Sequence, residues 1–374
     1  MAIEFIDLKA QQKLIKPEID AGIAKVLAEG RYIMGPEVKD FEAELCKFGQ
    51  AEYALGCANG TDALLLPMIG WKVPRGSAVF CPSFTYCATA EIIAIMGAVP
   101  VFVDIDRETY NMCPKSLKAA IEGVKSEGKM DMFGVIAVDL FGQSADYEAI
   151  APLAREHGLK LIADSAQGFG TTLHGKHPLA WCDVATTSFF PAKPLGCYGD
   201  GGAVLTNDAE LSAAMDSVRI HGKGTDKYDN VRVGLNSRLD TIQAAILLPK
   251  LAIFAKEIEQ RNLVAQRYID GLRGHALRVP TVLDGVLSTW AQFTIEVPDH
   301  AAFGAALKEK SIPTARYYPK PVHMQTAYEK FPCGAGGMAN TDDCIGNIIS
   351  LPMHPYLDEN TQDMIIETAK AALK

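Results

Sequence analysis

Lys160-Leu-Ile-Ala163 leads into Asp164-Ser-Ala-Gln-Gly-Phe-Gly170, and Asp183-Val-Ala-Thr-Thr-Ser-Phe-Phe190 leads through Pro191-Ala-Lys193-Pro-Leu-Gly196 to Gly202-Ala-Val-Leu-Thr206. These runs are short, apolar and bounded by glycine, proline or small polar residues, which reads as strand. They lack a polar alternation, so both faces of each strand are expected to be covered, as in a parallel sheet. On either side the same pattern recurs. Tyr53 to Ala58 precedes a helical Ala63 to Met68, and Ala78 to Cys81 precedes an apolar helix from Ala88 to Met96 and then Val101 to Val103. Gly134 to Val138 precedes a helix near Tyr147 to His157. Strands alternating with helices predict an α/β fold with a mainly parallel sheet between helices. Beyond Thr206, helical patterns run from Asp208 to Arg219 and from Leu239 to Lys256, and the aperiodic His221 to Val233 reads as a mobile loop. A mixed α/β part follows, which places a domain boundary near 250: a large domain at 1–250 and a smaller C-terminal α/β domain at 251–374.

A chain of 374 residues has room for two such domains. Its formal net charge of -9 argues against nucleic acid as the main partner. Nine cysteines form no CxxC pair, and no signal peptide is evident, which favours reduced thiols in the cytoplasm. The longest apolar stretch, Ile92 to Val103, is broken by Gly97 and Pro100 and is too short to span a membrane. No HExxH occurs and the eight histidines show no metal spacing, so no metal site is expected. The glycines from Gly196 to Gly202 precede a strand, not the helix that a dinucleotide fingerprint needs, and no P-loop is present.

Lys193 is the only charged side chain between Asp183 and Asp200. Lysine is ordinarily a solvated surface residue. In an aromatic, proline- and glycine-rich setting it has to be neutralised, paired or used covalently. Condensation with an aldehyde cofactor meets that need. Asp164 closes a strand at the end where α/β proteins hold ligands, and an anion there suits a pyridine nitrogen; a plain helix N-cap is the equal alternative. Gly60-Thr61-Asp62 follows a strand and opens a helix, a setting for phosphate or merely a capped helix start. Tyr86 stands at a comparable place and suits stacking on a planar ring, though an aromatic there is more often core.

Taken in order, Gly60-Thr-Asp-Ala-Leu64, Pro82-Ser-Phe-Thr-Tyr86, Asp164-Ser-Ala-Gln167, Ser188-Phe-Phe-Pro-Ala-Lys193 and Gly234-Leu-Asn-Ser-Arg-Leu239 resemble the sugar-nucleotide aminotransferases (DegT/DnrJ/StrS). These are fold type I enzymes that use pyridoxal 5′-phosphate (PLP). The resemblance runs from Phe5 to His354. It implies a seven-stranded sheet and an N-terminal segment, 1–14, packed on the small domain. It also implies that Lys193 forms the imine with PLP and shuttles the proton. Asp164 would pair with the pyridine nitrogen, Gln167 would approach the ring hydroxyl and Tyr86 would stack on the ring. Gly60, Thr61, Asp62 and Ser188 would hold the phosphate. Asn236 would reach the cofactor of a neighbouring subunit, making a homodimer with shared active sites. Arg238, Tyr317, Tyr318 and His323 would contact the nucleotide-sugar, and L-glutamate would supply the amine.

Pro194 to Gly202 and Asn236 to Lys250 are most similar to UDP-2-acetamido-2-deoxy-3-oxo-glucuronate 3-aminotransferases, which implies a role in surface polysaccharide (O-antigen or capsule) synthesis. Many relatives carry His-Tyr where this chain has Tyr317-Tyr318, which bears on the sugar. Two alternatives stay open: an aminotransferase for a 4-keto-6-deoxy sugar, and a non-catalytic PLP-binding regulator. A sugar dehydratase of the same fold is disfavoured, because that branch generally has histidine in place of the lysine.

Overall fold

The computed structural model describes residues 3–226 and 228–374. In chain order its strands are β1 (Tyr53–Cys57), β2 (Ala78–Pro82), β3 (Val99–Val103), β4 (Met132–Val138), β5 (Lys160–Asp164) and β6 (Thr172–Leu173). There follow β7 (Val184–Ser188), β8 (Gly202–Thr206), β9 (Val286–Leu287), β10 (Phe293–Glu296) and β11 (Ile348–Leu351). Seven of these make one sheet in the order β1-β8-β7-β5-β4-β2-β3. β8 pairs antiparallel with both of its neighbours, and every other pairing in the sheet is parallel. All seven strands coincide with runs legible in the sequence.

Successive side chains on a strand point to opposite faces, and the two faces feed different cores. Phe80, Val101, Val135, Leu161, Ala185 and Leu205 belong to one apolar cluster, while Val79, Phe102, Ile136, Ile162, Val184 and Val204 belong to another. Helices Pro36–Phe48, Pro114–Glu127 and Tyr147–Glu156 supply the first cluster; Gly60–Gly70, Ala88–Ile95 and Ala209–Val218 supply the second. Burying each large apolar side chain contributes about 1.5–3 kcal/mol, so two covered faces explain the unbroken apolar runs. Three helices before β1, at Leu8–Leu14, Lys16–Glu29 and Pro36–Phe48, had no counterpart in the sequence reading.

Helix Thr241–Leu272 runs through residue 250 without a break. Its Leu251, Phe254 and Ile258 pack in the first sheet cluster, whereas Val264, Tyr268 and Leu272 pack in a third cluster with Phe293, Ile349 and Ile365. Ile3 lies against this third cluster, and the Phe5 carbonyl accepts from Met353 N–H at 3.1 Å. The segment His221 to Val233 folds back on itself, with Gly224 N–H donating to the Asp229 carbonyl at 2.8 Å; Lys227 within it lies outside the described residues.

The chain passes from β2 to β3 in one direction along the sheet and from β4 through β5 to β7 in the other. A crevice opens at such a reversal, at the C-terminal ends of the strands. The candidate site lies at these ends.

Candidate active site

Asp164 is the last residue of β5 and is buried. Its Oδ2 accepts from Thr89 Oγ1 at 2.8 Å and its Oδ1 from Ala166 N–H at 3.2 Å. Burial pushes its carboxyl upward, while the Thr89 and Ala166 hydrogen bonds and the charge of Lys193 pull it back. Lys193 stands in the loop after β7, where its N–H donates to the Phe190 carbonyl at 2.8 Å. Burial lowers the pKa of its amine, and Asp164 opposes that shift. Among the described residues, no hydrogen bond or ion pair engages this amine.

Helix Gly60–Gly70 begins beside them. Asn59 Oδ1 caps it by accepting from Asp62 N–H at 2.8 Å, and Ala63 N–H donates to the Asn59 carbonyl at 3.0 Å. The amide of Asp62 is therefore engaged, and the N–H groups of Gly60 and Thr61 remain at the positive end of the helix. A Cβ on Gly60 would stand 2.6 Å from Ser188 Cβ, so glycine is what lets this helix start sit against the end of β7. Ser188 Oγ accepts from Phe190 N–H at 3.3 Å and retains its own hydroxyl proton for another acceptor.

Gln167 joins the site to the small-domain side. Its Oε1 accepts from Phe141 N–H at 2.9 Å, and its Nε2 donates to the Tyr318 hydroxyl at 2.8 Å. The Tyr318 ring lies 6.2 Å from Phe84 and 6.4 Å from Tyr86, and Tyr317 lies 6.4 Å from Phe5. Tyr86 is 57% exposed, so it lines an open face and is not core.

Three expected residues stand apart from this group. His323 Nδ1 is 2.6 Å from Ser83 Oγ and its Nε2 is 3.3 Å from Asp342, so both ring nitrogens are engaged within the chain. Asn236 is exposed and Arg238 half-buried, and no hydrogen bond or ion pair links either to Lys193 or Asp164. Between them, Ser237 Oγ accepts from Ala58 N–H at 3.3 Å, which sets this segment against the start of the Gly60 helix.

The structure adds two residues that sequence reasoning missed. Thr89 holds Asp164, and its only signal was a hydroxyl one turn after Tyr86. Asp139 follows β4 and its N–H donates to the Asp164 carbonyl at 3.0 Å. The Asp139 carboxylate accepts from Ala145 N–H at 2.9 Å, Tyr147 hydroxyl at 2.8 Å and Ser165 Oγ at 2.5 Å. No group of three or more candidate metal ligands occurs among the described residues, and no helix there is long and apolar enough to cross a membrane.

The chain is 47% identical to a UDP-2-acetamido-2-deoxy-3-oxo-D-glucuronate aminotransferase of Pseudomonas aeruginosa, over 95% of this chain and 96% of that one. It is 38% identical to a pleiotropic regulatory protein of Geobacillus stearothermophilus, over 98% and 97% of the two chains. Among solved structures, a DegT DnrJ EryC1 StrS aminotransferase from Brucella abortus superimposes with a TM-score of 0.97 at 48% identity, covering 99% of each chain. The family profile matches residues 13–370, and the chain belongs to the DegT/DnrJ/EryC1/StrS aminotransferase family.

Proposed function

We propose that this chain is a PLP-dependent aminotransferase that moves an amino group from L-glutamate to the 3-keto carbon of a nucleotide-linked sugar. A UDP-linked 2-acetamido-2-deoxy-3-oxo-glucuronate, the substrate in the name of the Pseudomonas relative, is the leading candidate. One observation carries the reading: an unpaired amine, Lys193, set beside a buried carboxylate, Asp164, at a strand end.

The residues fit the cofactor. Two unengaged N–H groups at a helix start, with the Ser188 hydroxyl beside them, suit a phosphate. A buried carboxylate held by Thr89 suits a ring nitrogen that must stay protonated. PLP, when bound, supplies an aldehyde for the amines and a protonated ring that takes up electrons from the substrate carbon. The chain's own groups do the rest. A lowered pKa leaves more of the Lys193 amine neutral, and the neutral amine is the nucleophile and the base. Once freed by substrate, that amine carries the proton to and from the substrate carbon. Thr89 fixes the orientation of Asp164. Gln167, held between Phe141 and Tyr318, offers polar atoms on the ring-hydroxyl side, and Tyr86 offers a flat face for stacking. Asp62 contributes by letting Asn59 cap the helix, not through a free amide. Tyr317 and Tyr318 are the sugar-side candidates, with Arg238 for the nucleotide, whereas both ring nitrogens of His323 are taken up by Ser83 and Asp342.

The exposure of Asn236, Tyr32, Ile33 and Phe190 supports a homodimer in which Asn236 serves the partner's site. Nine free thiols support a cytoplasmic location, and the product would then feed surface polysaccharide synthesis. The division into 1–250 and 251–374 remains our proposed domain organisation, with helix Thr241–Leu272 as the shared spine.

The 38% identity to a protein named as a regulator favours one second reading, a PLP-binding regulator. Purified enzyme incubated with L-glutamate and, in turn, a UDP-3-keto-hexuronate and a dTDP-4-keto-6-deoxyhexose separates the readings by mass spectrometry of the sugar. Amination of the 3-keto sugar supports the proposal. Amination of the 4-keto sugar alone moves the substrate class, and bound PLP with no transfer to either favours the regulator.

A further inference from the structure

Helix Thr241–Leu272 grips the loop that carries Lys193 at two points. Gln243 Oε1 accepts from Tyr198 N–H at 3.0 Å, and its Nε2 donates to the Tyr198 carbonyl at 3.4 Å. Two helical turns later, Lys250 Nζ donates to the Gly196 carbonyl at 2.6 Å and lies 4.4 Å from the centre of the Tyr198 ring. Lys250 is 1% exposed. The one carboxylate that offsets its burial is Glu257 on its own helix, and no carboxylate among the described residues comes within ion-pair distance. Burial lowers its pKa to about 8.

A buried ammonium without a counter-ion is a poor way to fill space, since an apolar side chain of equal length avoids the desolvation penalty. Its geometry shows a different use. The loop is folded tightly: a Cβ on Gly196 would stand 2.5 Å from the Pro191 carbonyl oxygen and 2.7 Å from that of Phe190. The Phe190 carbonyl is the same group that accepts from Lys193 N–H at 2.8 Å. Holding Gly196 therefore holds the turn from which Lys193 projects.

We propose that Lys250 is a positioning residue that, through the Gly196 carbonyl and the Tyr198 ring, fixes the aim of the Lys193 amine relative to Asp164. The proposal rests on the reading of Lys193 as the cofactor-binding amine. Small misplacement of a reacting group lowers turnover by about ten- to a hundredfold without weakening substrate binding.

The test uses the holoenzyme and the variants Lys250→Met and Lys250→Gln, the second keeping an N–H for Gly196. Borohydride reduction of wild type followed by peptide mass spectrometry comes first; an adduct elsewhere than Lys193 removes the underlying reading and this proposal with it. With the adduct on Lys193, Lys250→Met is expected to stay folded, still carry the cofactor and lose about tenfold or more in kcat, with each KM within about twofold. The pH midpoint of its bound-cofactor absorbance should shift, and Lys250→Gln should recover most of both properties. Wild-type kcat and an unshifted titration in Lys250→Met overturn the proposal. So does a loss that only follows the folded fraction and that glutamine fails to restore. Should the methionine variant not fold, Tyr198→Leu, which removes the ring that Lys250 lies against, decides: a lowered kcat with a shifted absorbance titration supports the proposal, and wild-type values of both overturn it.

Discussion

Asp139 and Asp164 sit at the ends of adjacent strands, joined by a backbone hydrogen bond, and both carboxyls are buried. Desolvation raises the pKa of each, that of Asp139 to about 7. Their partners differ. Asp139 takes three donors from its own surroundings, Ala145, Tyr147 and Ser165, and no ion pair joins it to a cation among the described residues. Asp164 takes two, from Thr89 and Ala166, and faces the unpaired Lys193. A satisfied buried carboxylate organises the turn after β4. One with a donor fewer, beside an amine that no hydrogen bond or ion pair engages among the described residues, has acceptor capacity left for a ligand. Burial alone does not tell structure from function; the count of donors does.

The contrast can be broken by exchanging the two losses. Asp164→Ala should lower kcat by about 10³-fold while the far-ultraviolet dichroism and melting behaviour stay near wild type. Asp139→Ala should do the opposite. It leaves three buried donors without an acceptor and should destabilise by about 3 kcal/mol or more in denaturant titration, with the folded fraction keeping most of its turnover. Equal effects of the two substitutions on turnover would erase the distinction. A subtler cut is Thr89→Val, which keeps shape and removes one of the two donors to Asp164; about a tenfold fall in kcat is expected, with stability little changed.

The smallest effect is one of pH. A carboxyl whose folded pKa lies above its unfolded value binds a proton more tightly when folded. The stability Asp139 contributes is therefore full below pH 4 and declines as pH rises toward about 7. The gap in denaturation midpoint between wild type and Asp139→Asn should narrow over that window, and a gap independent of pH would contradict the shift.

Much of this was legible in the sequence because it is local. Seven apolar runs announced seven strands, since strands covered on both faces need no alternation. Lys193 and Asp164 stood out as charges in apolar or strand-end settings. What escaped depends on contacts far apart in the chain. Thr89 reaches Asp164 across 75 positions, and Lys250 reaches Gly196 across 54. Neither residue carries a local mark of its use. The resemblance alone placed His323 at the substrate, and its contacts with Ser83 and Asp342, distant in the sequence, were not legible there. Asp62 was expected to offer its amide to a phosphate, but Asn59 accepts it, and which residue caps a helix is settled only by rotamer and backbone geometry. The helices before β1 went unread because nothing in that segment joined the strand-and-helix alternation.

The central claim is that the unpaired amine of Lys193 holds the cofactor. Borohydride reduction of the purified, PLP-loaded enzyme, followed by proteolysis and mass spectrometry, tests it most directly. The account predicts a reduced pyridoxyl group on the peptide containing Lys193 and on no other lysine, and loss of that label in Lys193→Ala. A label spread over surface lysines, or an unlabelled Lys193 in enzyme that still transfers the amine, would contradict it.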